Sequence, residues 1–221
     1  MSRKIVIVGG VAGGATAAAR LRRLSEDDEI IMFERGEYIS FANCGLPYYI
    51  GGVIKSRDKL LVQTKQGMEE RYNLKIHNFT EVVSIDRESK EVLCTNVNSN
   101  ESFRQSYDKL ILSPGADPIK PPIKGIDTCK NLFTLRNIPD MDSIHSFIKE
   151  NNVIDSVVIG VGFIGVEMSD ELNKKDKDVT LVEILPNILG LAFDKELADE
   201  AEQVLQNRGV KIKTSTGVKE L

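Results

Sequence analysis

One order of elements, strand, glycine turn, helix, strand and acid, occurs twice in this chain and constrains its fold more than any other feature. The first copy runs Ile5-Val6-Ile7-Val8, then Gly9-Gly10-Val11-Ala12-Gly13-Gly14, then an Ala-, Leu- and Arg-rich stretch from Ala15 to Leu24. A second apolar run, Glu29 to Glu34, ends in an acid. Unbroken apolar runs suit strands buried on both faces, and Ala, Leu and Arg are strong helix formers. The whole fits the roughly 30 residues of a β-α-β unit. The second copy has Ser156 to Ile159, then Gly160-Val161-Gly162-Phe163-Ile164-Gly165, a helical stretch from Val166 to Lys175, and a strand from Val179 to Glu183. The two leading glycines stand 151 residues apart, which indicates a duplicated domain type and not a solenoid repeat. The expectation is an α/β protein with two Rossmann-like dinucleotide-binding domains.

Between the copies, Asn43 to Ile50 is expected to start a helix, and Gln66 to Asn73 is a second short one. From Leu74 to Asp108 the pattern changes to short alternating segments at Glu81 to Ile85, Glu91 to Thr95 and Phe103 to Tyr107. Polar turns separate them, as in an antiparallel meander inserted into the first domain. Leu110-Ile111-Leu112 is a further strand, closed by Ser113-Pro114-Gly115. The proline-rich segment Pro118 to Pro122 marks a boundary, dividing residues 1–117 from 118–221. Lys195 to Asn207 reads as a helix and Val210 to Lys213 as a last strand.

Composition excludes several classes. With 221 residues and 41% hydrophobic content, the chain can bury a core without disulfides or a structural metal. The net charge of −4 comes from interspersed signs, so neither a nucleic acid nor an anionic membrane is an expected partner. No run of 18 apolar residues suggests a membrane span. Arg3 and Lys4 before Ile5 to Ala19 loosely mimic a signal peptide, but glycines cut that run and a basic helical pattern follows. The three cysteines Cys44, Cys94 and Cys129 form no CxxC or Cys/His cluster, so no metal is expected, and so sparse a set fits a reducing cytoplasm. The sequons at Asn78 and Asn100 are then chance matches.

A glycine turn between strand and helix lets a pyrophosphate approach the backbone, where free N–H groups and the helix dipole stabilise its charge. The acid ending the next strand hydrogen-bonds a ribose hydroxyl. The second copy matches this pattern in full through Gly160, Gly162, Phe163, Ile164 and Gly165, with Glu183 lying 23 residues after Gly160. The first copy, Gly9, Gly10, Val11, Ala12, Gly13 and Gly14, has Val11 where the middle glycine normally sits, and Glu34 follows Gly9 by 25 residues. Glu183, in place of an arginine, favours NADH over NADPH. Two such sites suggest a flavoprotein that takes hydride from a nicotinamide, and binding chemistry alone leaves open which copy holds the flavin.

Ser40-Phe41-Ala42-Asn43-Cys44-Gly45-Leu46-Pro47-Tyr48 is the most specific segment. A cysteine at a helix N-terminus has its thiolate, the nucleophile, favoured by the macrodipole. The competing reading of Cys44 is a buried structural cysteine. Arg20, Arg22 and Arg23 on the first helix read as a solvated face answered by the acidic run Glu26 to Glu29. Glu167 is a candidate for the nicotinamide's surroundings or a dipole partner of its own helix. His77 and His145 read as surface or packing residues, Tyr48 and Tyr49 as packing, and Cys94 and Cys129 as inert.

The first glycine turn, Ser40 to Tyr48, Tyr107-Asp-Lys-Leu-Ile-Leu-Ser-Pro-Gly-Ala and Gly160 to Glu167 together resemble the pyridine nucleotide-disulfide oxidoreductase superfamily, and within it the CoA-disulfide reductase branch. In that branch the valine at the position of Val11 is habitual. The resemblance implies FAD in the first domain, beside Glu34, Arg35 and Gly115, and NAD(P)H in the second. It implies that hydride passes to the flavin, which reduces a mixed disulfide between Cys44 and CoA. It also places Thr16, Arg20, Arg23, Ser40 and Asn43 at CoA-holding positions, and Arg suits the phosphates of CoA. The activity implied is reduction of CoA disulfide, or of a CoA persulfide or polysulfide, by a single redox-active cysteine. An NADH oxidase or peroxidase cycling through a sulfenic acid, and a non-catalytic nucleotide-binding fragment, are the alternatives. The family's full-length members return to the flavin domain after the nicotinamide domain and then form homodimers. The chain is therefore expected to be truncated, the front portion of such a reductase.

Overall fold

The computed structural model describes residues 2–221 and separates into two compact units. The first unit comprises the residues up to Ala42 together with Asp58–Ala116. Its centre is a parallel sheet of β1 (Lys4–Val8), β2 (Glu29–Phe33), β3 (Lys75–His77) and β7 (Lys109–Leu112), in the order β3-β2-β1-β7. Helices α1 (Gly13–Leu24) and α3 (Lys65–Tyr72) also belong to this unit. The expected meander forms from β4 (Thr80–Asp86), β5 (Glu91–Asn96) and β6 (Ser102–Ser106), antiparallel throughout with a bulge between Val82 and Ser84.

The period-two alternation of side chains explains why the strand sequences are apolar throughout. Ile7, Ile30 and Met32 join Ala15 and Ala18 of α1 and Met68 of α3 in one cluster. Val6, Ile31 and Phe33 join Val92 and Cys94 of β5 in another. The sheet therefore carries helices on one face and the meander on the other. Arg22, expected on a solvated face, instead donates to the backbone carbonyls of Ser25, Glu26, Asp28, Tyr72 and Asn73. It binds the C-terminal ends of α1 and α3 to the start of β2, so the acidic run's carbonyls, and not its carboxylates, answer it.

The second unit comprises Asn43–Arg57 and Asp117–Leu221. Its parallel sheet has the order β10-β9-β8, from β8 (Asp155–Ile159), β9 (Asp178–Val182) and β10 (Lys211–Lys213). Helices α5 (Phe163–Asn173) and α6 (Lys195–Asn207) follow β8 and β9. Packing thus gives residues 43–57 to the second unit, although they interrupt the first in sequence. Within the segment, α2 (Leu46–Ile50) packs on α5 and on α4 (Ile138–Glu150), with Leu46, Pro47 and Ile50 buried. Burying Leu46 and Ile50 contributes up to about 3–6 kcal/mol before ordering costs. The partly exposed Arg57–Asp142 ion pair adds roughly 0–1 kcal/mol, so apolar packing is what holds the segment.

One strand and one α-helix escape the sequence reading. β3 is only three residues long. α4 carries a signal that was legible: Asn137 caps it, Asp140 completes a capping box and Pro139 sits in its first turn. Among the described residues no helix is long and apolar enough to cross a membrane.

Candidate functional site

The two glycine turns have the same construction. In the first, Gly9 adopts φ +92° and donates its N–H to the Phe33 carbonyl at 2.8 Å. The Gly10 N–H donates to Glu34 Oε2 at 2.8 Å, and the Gly36 N–H to Glu34 Oε1 at 2.8 Å. In the second, Gly160 adopts φ +90° and donates to the Val182 carbonyl at 2.9 Å. The Val161 N–H donates to Glu183 Oε2 and the Leu185 N–H to Glu183 Oε1, each at 2.8 Å. Each acid thus ties its turn to the end of the neighbouring strand, a second duty for a carboxylate with about four acceptor sites. Both strands end one residue short of the expected acid, at Phe33 and Val182.

The last glycine of each turn is a packing requirement. A Cβ on Gly14 would lie 1.7 Å from the Gly9 carbonyl oxygen, and one on Gly165 would lie 2.1 Å from that of Gly160. The middle position differs. A Cβ on Gly162 meets nothing within 4 Å, so the space beside that amide is open. The first turn has Val11 there, and helical geometry starts one residue later, with Ala12 as the N-cap instead of the residue corresponding to Gly162. Among the described helices of eight residues or more, α3 and α4 have side-chain caps and α6 an acid in its first turn, while α1 and α5 have neither. Their first amides are available to an anion. This donor set fits the pyrophosphate of a dinucleotide at both turns.

Around the first turn, the Ser113 carbonyl oxygen stands 2.0 Å from where a Gly9 Cβ would be, and Gly115 adopts φ +71°. Ser40, at φ +46°, donates its N–H to the Gly10 carbonyl at 3.1 Å, which ties the 40s loop to the turn. Arg35 is exposed and pairs with Glu81 at 3.8 Å. Thr16, Arg20 and Arg23 are all exposed on α1. Their spacing of four and three residues puts them on one face, and Arg20 and Arg23 have no ion pair among the described residues. Asn43 is exposed.

Cys44 is exposed and free, in a 3₁₀ turn spanning Asn43–Gly45. The expected helix begins three residues later than Asn43 and is five residues long, so it gives the thiol no long macrodipole. Cys94 has the opposite surroundings: it is fully buried in β5, and burial pushes its thiol up to about 11. Cys129 Sγ contacts Asn131 Oδ1 at 3.2 Å.

Tyr48 does more than pack. Its hydroxyl donates to Glu167 Oε1 at 3.4 Å, and the charge on Glu167 raises the phenol above its ordinary value. Glu167 is thereby the partner of the Cys44 segment. His77 stacks on Phe33 at 5.1 Å between centroids and His145 lies 5.2 Å from Tyr49, both as packing residues. No group of three or more metal-ligating side chains occurs among the described residues. The sequence reading passed over Glu171, which is 1% exposed on α5 and lines a groove of about 460 Å³ with Tyr48, Glu167, Phe193 and Val204. An acid on the apolar side of a predicted helix was the available signal.

Comparison with known proteins extends this geometry. The family model described as pyridine nucleotide-disulphide oxidoreductase matches residues 3–221. A Coenzyme A disulfide reductase of Staphylococcus haemolyticus is 42% identical over 180 residues, covering 81% of this chain and 40% of that protein. The crystal structure of reduced Bacillus anthracis CoADR-RHD superposes with a TM-score of 0.97 at 55% identity, over 100% of this chain and 40% of that one. A NAD-dependent persulfide reductase from A. fulgidus superposes with a TM-score of 0.93 at 34% identity, over 98% of this chain and 40% of that one. The chain thus spans about two fifths of the length of these relatives.

Proposed function

Because the chain belongs to the pyridine nucleotide-disulphide oxidoreductase family, we propose that it carries the nucleotide sites and the redox thiol of an FAD-dependent, NAD(P)H-driven reductase of CoA disulfide or of a CoA persulfide or polysulfide. The observation that carries the reading is the matched pair of glycine turns, each with an acid-tied amide and an uncapped helix, in a chain that also exposes a free cysteine. The first unit takes FAD at Gly9 to Gly14, Glu34, Arg35 and Gly115. The second takes NAD(P)H at Gly160 to Gly165 and Glu183, where the carboxylate disfavours the 2′-phosphate of NADPH by like charge. In this reading residues 1–117 form the FAD domain and 118–221 the NAD(P) domain, although Asn43–Arg57 pack with the second unit.

The bound cofactors supply hydride and a two-electron relay. The chain's own part is to hold and to attack. Turn amides and the first amides of α1 and α5 bind pyrophosphate. Thr16, Arg20, Arg23, Ser40 and Asn43 recognise CoA, the two guanidiniums by bidentate bonds to phosphate. Cys44, as thiolate, attacks one sulfur of the disulfide, and a CoA thiolate leaves. Cys94 is closed in the core of its unit, and the reading takes the second sulfur of the exchange from the substrate. The family's homodimer belongs to the same proposal.

The test is an absorbance spectrum of the purified chain followed by NADH consumption with CoA disulfide, hydrogen peroxide or oxygen. The expected result is a flavin band near about 450 nm and turnover with CoA disulfide. Turnover with peroxide or oxygen alone replaces the reading with an oxidase or peroxidase, and a colourless chain inert toward NADH replaces it with a non-catalytic fragment.

A further inference from the structure

Helix α5 presents Glu167 and Glu171, one helical turn apart, to the segment that carries Cys44, and Lys175 lies in the turn just past the end of the helix. Glu167 accepts the Tyr48 hydroxyl. Lys175 Nζ lies 2.5 Å from where a Cβ on Gly52 would be. Glu171 is the unusual member. It is 1% exposed, Lys174 Nζ holds its Oε1 at 2.7 Å, and its Oε2 has no hydrogen-bond partner among the described residues. A Cβ on Gly51 would lie 1.9 Å from that oxygen, 2.8 Å from Cδ and 2.7 Å from the Glu171 Cβ. The last distance involves the stem of a buried side chain, which cannot swing aside as an exposed tip can. Gly51 itself has φ −67° and ψ −14°, a backbone any residue adopts, so what excludes a side chain there is packing, and the three atoms nearest to such a Cβ all belong to Glu171.

Gly51 closes α2 by donating to the Pro47 carbonyl at 2.8 Å, and Val53 donates to that of Tyr48 at 2.8 Å. A displacement at Gly51 therefore moves α2 as a body, and with it the 3₁₀ turn holding Cys44. We infer that Glu171 is a positioning residue for Cys44: the bulk of its buried side chain, seated against Gly51, sets where α2 lies on α5 and so where the thiol stands relative to its substrate. The inference rests on the reading of Cys44 as the thiol that attacks CoA disulfide. In that step a Cys44–CoA disulfide bond forms as the CoA–CoA bond breaks, and the second CoA leaves as its thiolate.

The experiment measures this exchange alone, by mass spectrometry of the Cys44 adduct, with CoA disulfide and with hydroxyethyl disulfide. The small disulfide reports thiolate reactivity, and the ratio of the two rates reports positioning. In the unaltered chain CoA disulfide reacts faster. Gly51→Ala is expected to lower the ratio by about tenfold or more, with the small disulfide's rate nearly unchanged. Gly51→Ala/Glu171→Gly, which removes the Glu171 Cβ together with the atoms beyond it, is expected to bring it back to within about threefold. Glu171→Gln, which keeps the volume, is expected to retain it. A ratio that Gly51→Ala leaves intact, or that the double variant fails to restore, overturns the inference. If Gly51→Ala alone does not fold, the double variant decides: a folded protein with the restored ratio supports the inference, and anything else overturns it. If the unaltered chain shows no preference for CoA disulfide, it is the functional reading of Cys44 that fails.

Discussion

Replacing Gly162 with alanine separates binding from folding at the second glycine turn. The residue has φ −78° and ψ −173°, which alanine adopts without strain, and the added Cβ meets nothing within 4 Å. Folding should therefore gain slightly, because alanine narrows the unfolded ensemble by about 0.4–1 kcal/mol. For a chain of this size that raises Tm by roughly 1–4 °C. Binding moves the other way. On the proposed reading, the space the methyl enters is where a pyrophosphate comes to reach the amides at the start of α5. Loss of one hydrogen bond to a charged group costs about 1.5–3 kcal/mol, which raises Kd roughly 10- to 150-fold. Thermal unfolding and calorimetric titration with NADH, on both proteins, give the two numbers. A Gly162→Ala chain that binds NADH as tightly as the parent would refute the assignment of this space to a phosphate. One that melts several degrees lower would refute the claim that the space is open.

Gly165→Ala should behave in the opposite way, because its Cβ would fall 2.1 Å from the Gly160 carbonyl oxygen; the forced shift of α5 from β8 costs about 1–3 kcal/mol, read in chemical denaturation. Asp28 accepts side-chain and backbone hydrogen bonds from Arg3, which hold its carboxyl down at about 2. Its pKa when folded lies below that when unfolded, so the ionised pair favours folding above about pH 4 and this support is lost as pH falls toward about 2. Asp28→Asn should flatten acid unfolding in that window, and an unchanged profile would remove the pair from the account. Iodoacetamide at pH 8 should modify Cys44 in the native chain and leave Cys94 untouched until unfolding, because Cys94 is buried with its thiol pushed up to about 11; peptide mass spectrometry that finds Cys94 modified first would contradict the packing of β5.

The elements legible in the sequence were those whose cause is local. Apolar runs at Ile5 to Val8 and Val179 to Val182, polar turns between β4, β5 and β6, and the helix Lys195–Asn207 all follow from composition and spacing. β3 was illegible because three residues carry no periodicity, and its strand character comes from pairing Ile31 with Lys75 and Phe33 with His77. Arg22 looked like surface charge because nothing in a sequence indicates that the carbonyls at two helix ends will converge on one guanidinium. Tyr48 looked like packing because Glu167 lies 119 residues away.

The sequence by itself determined both glycine turns, since a glycine at positive φ, a helix start and a strand-ending acid are properties of about 30 contiguous residues. It also singled out Cys44. Only the tertiary structure decided that the Cys44 segment packs with the second unit, on α4 and α5. It alone placed a buried carboxylate against Gly51 and left the space beside Gly162 open. The physical reason is that turn geometry is set by the φ and ψ of neighbouring residues, whereas packing is a long-range sum of apolar burial that no short stretch of chain encodes.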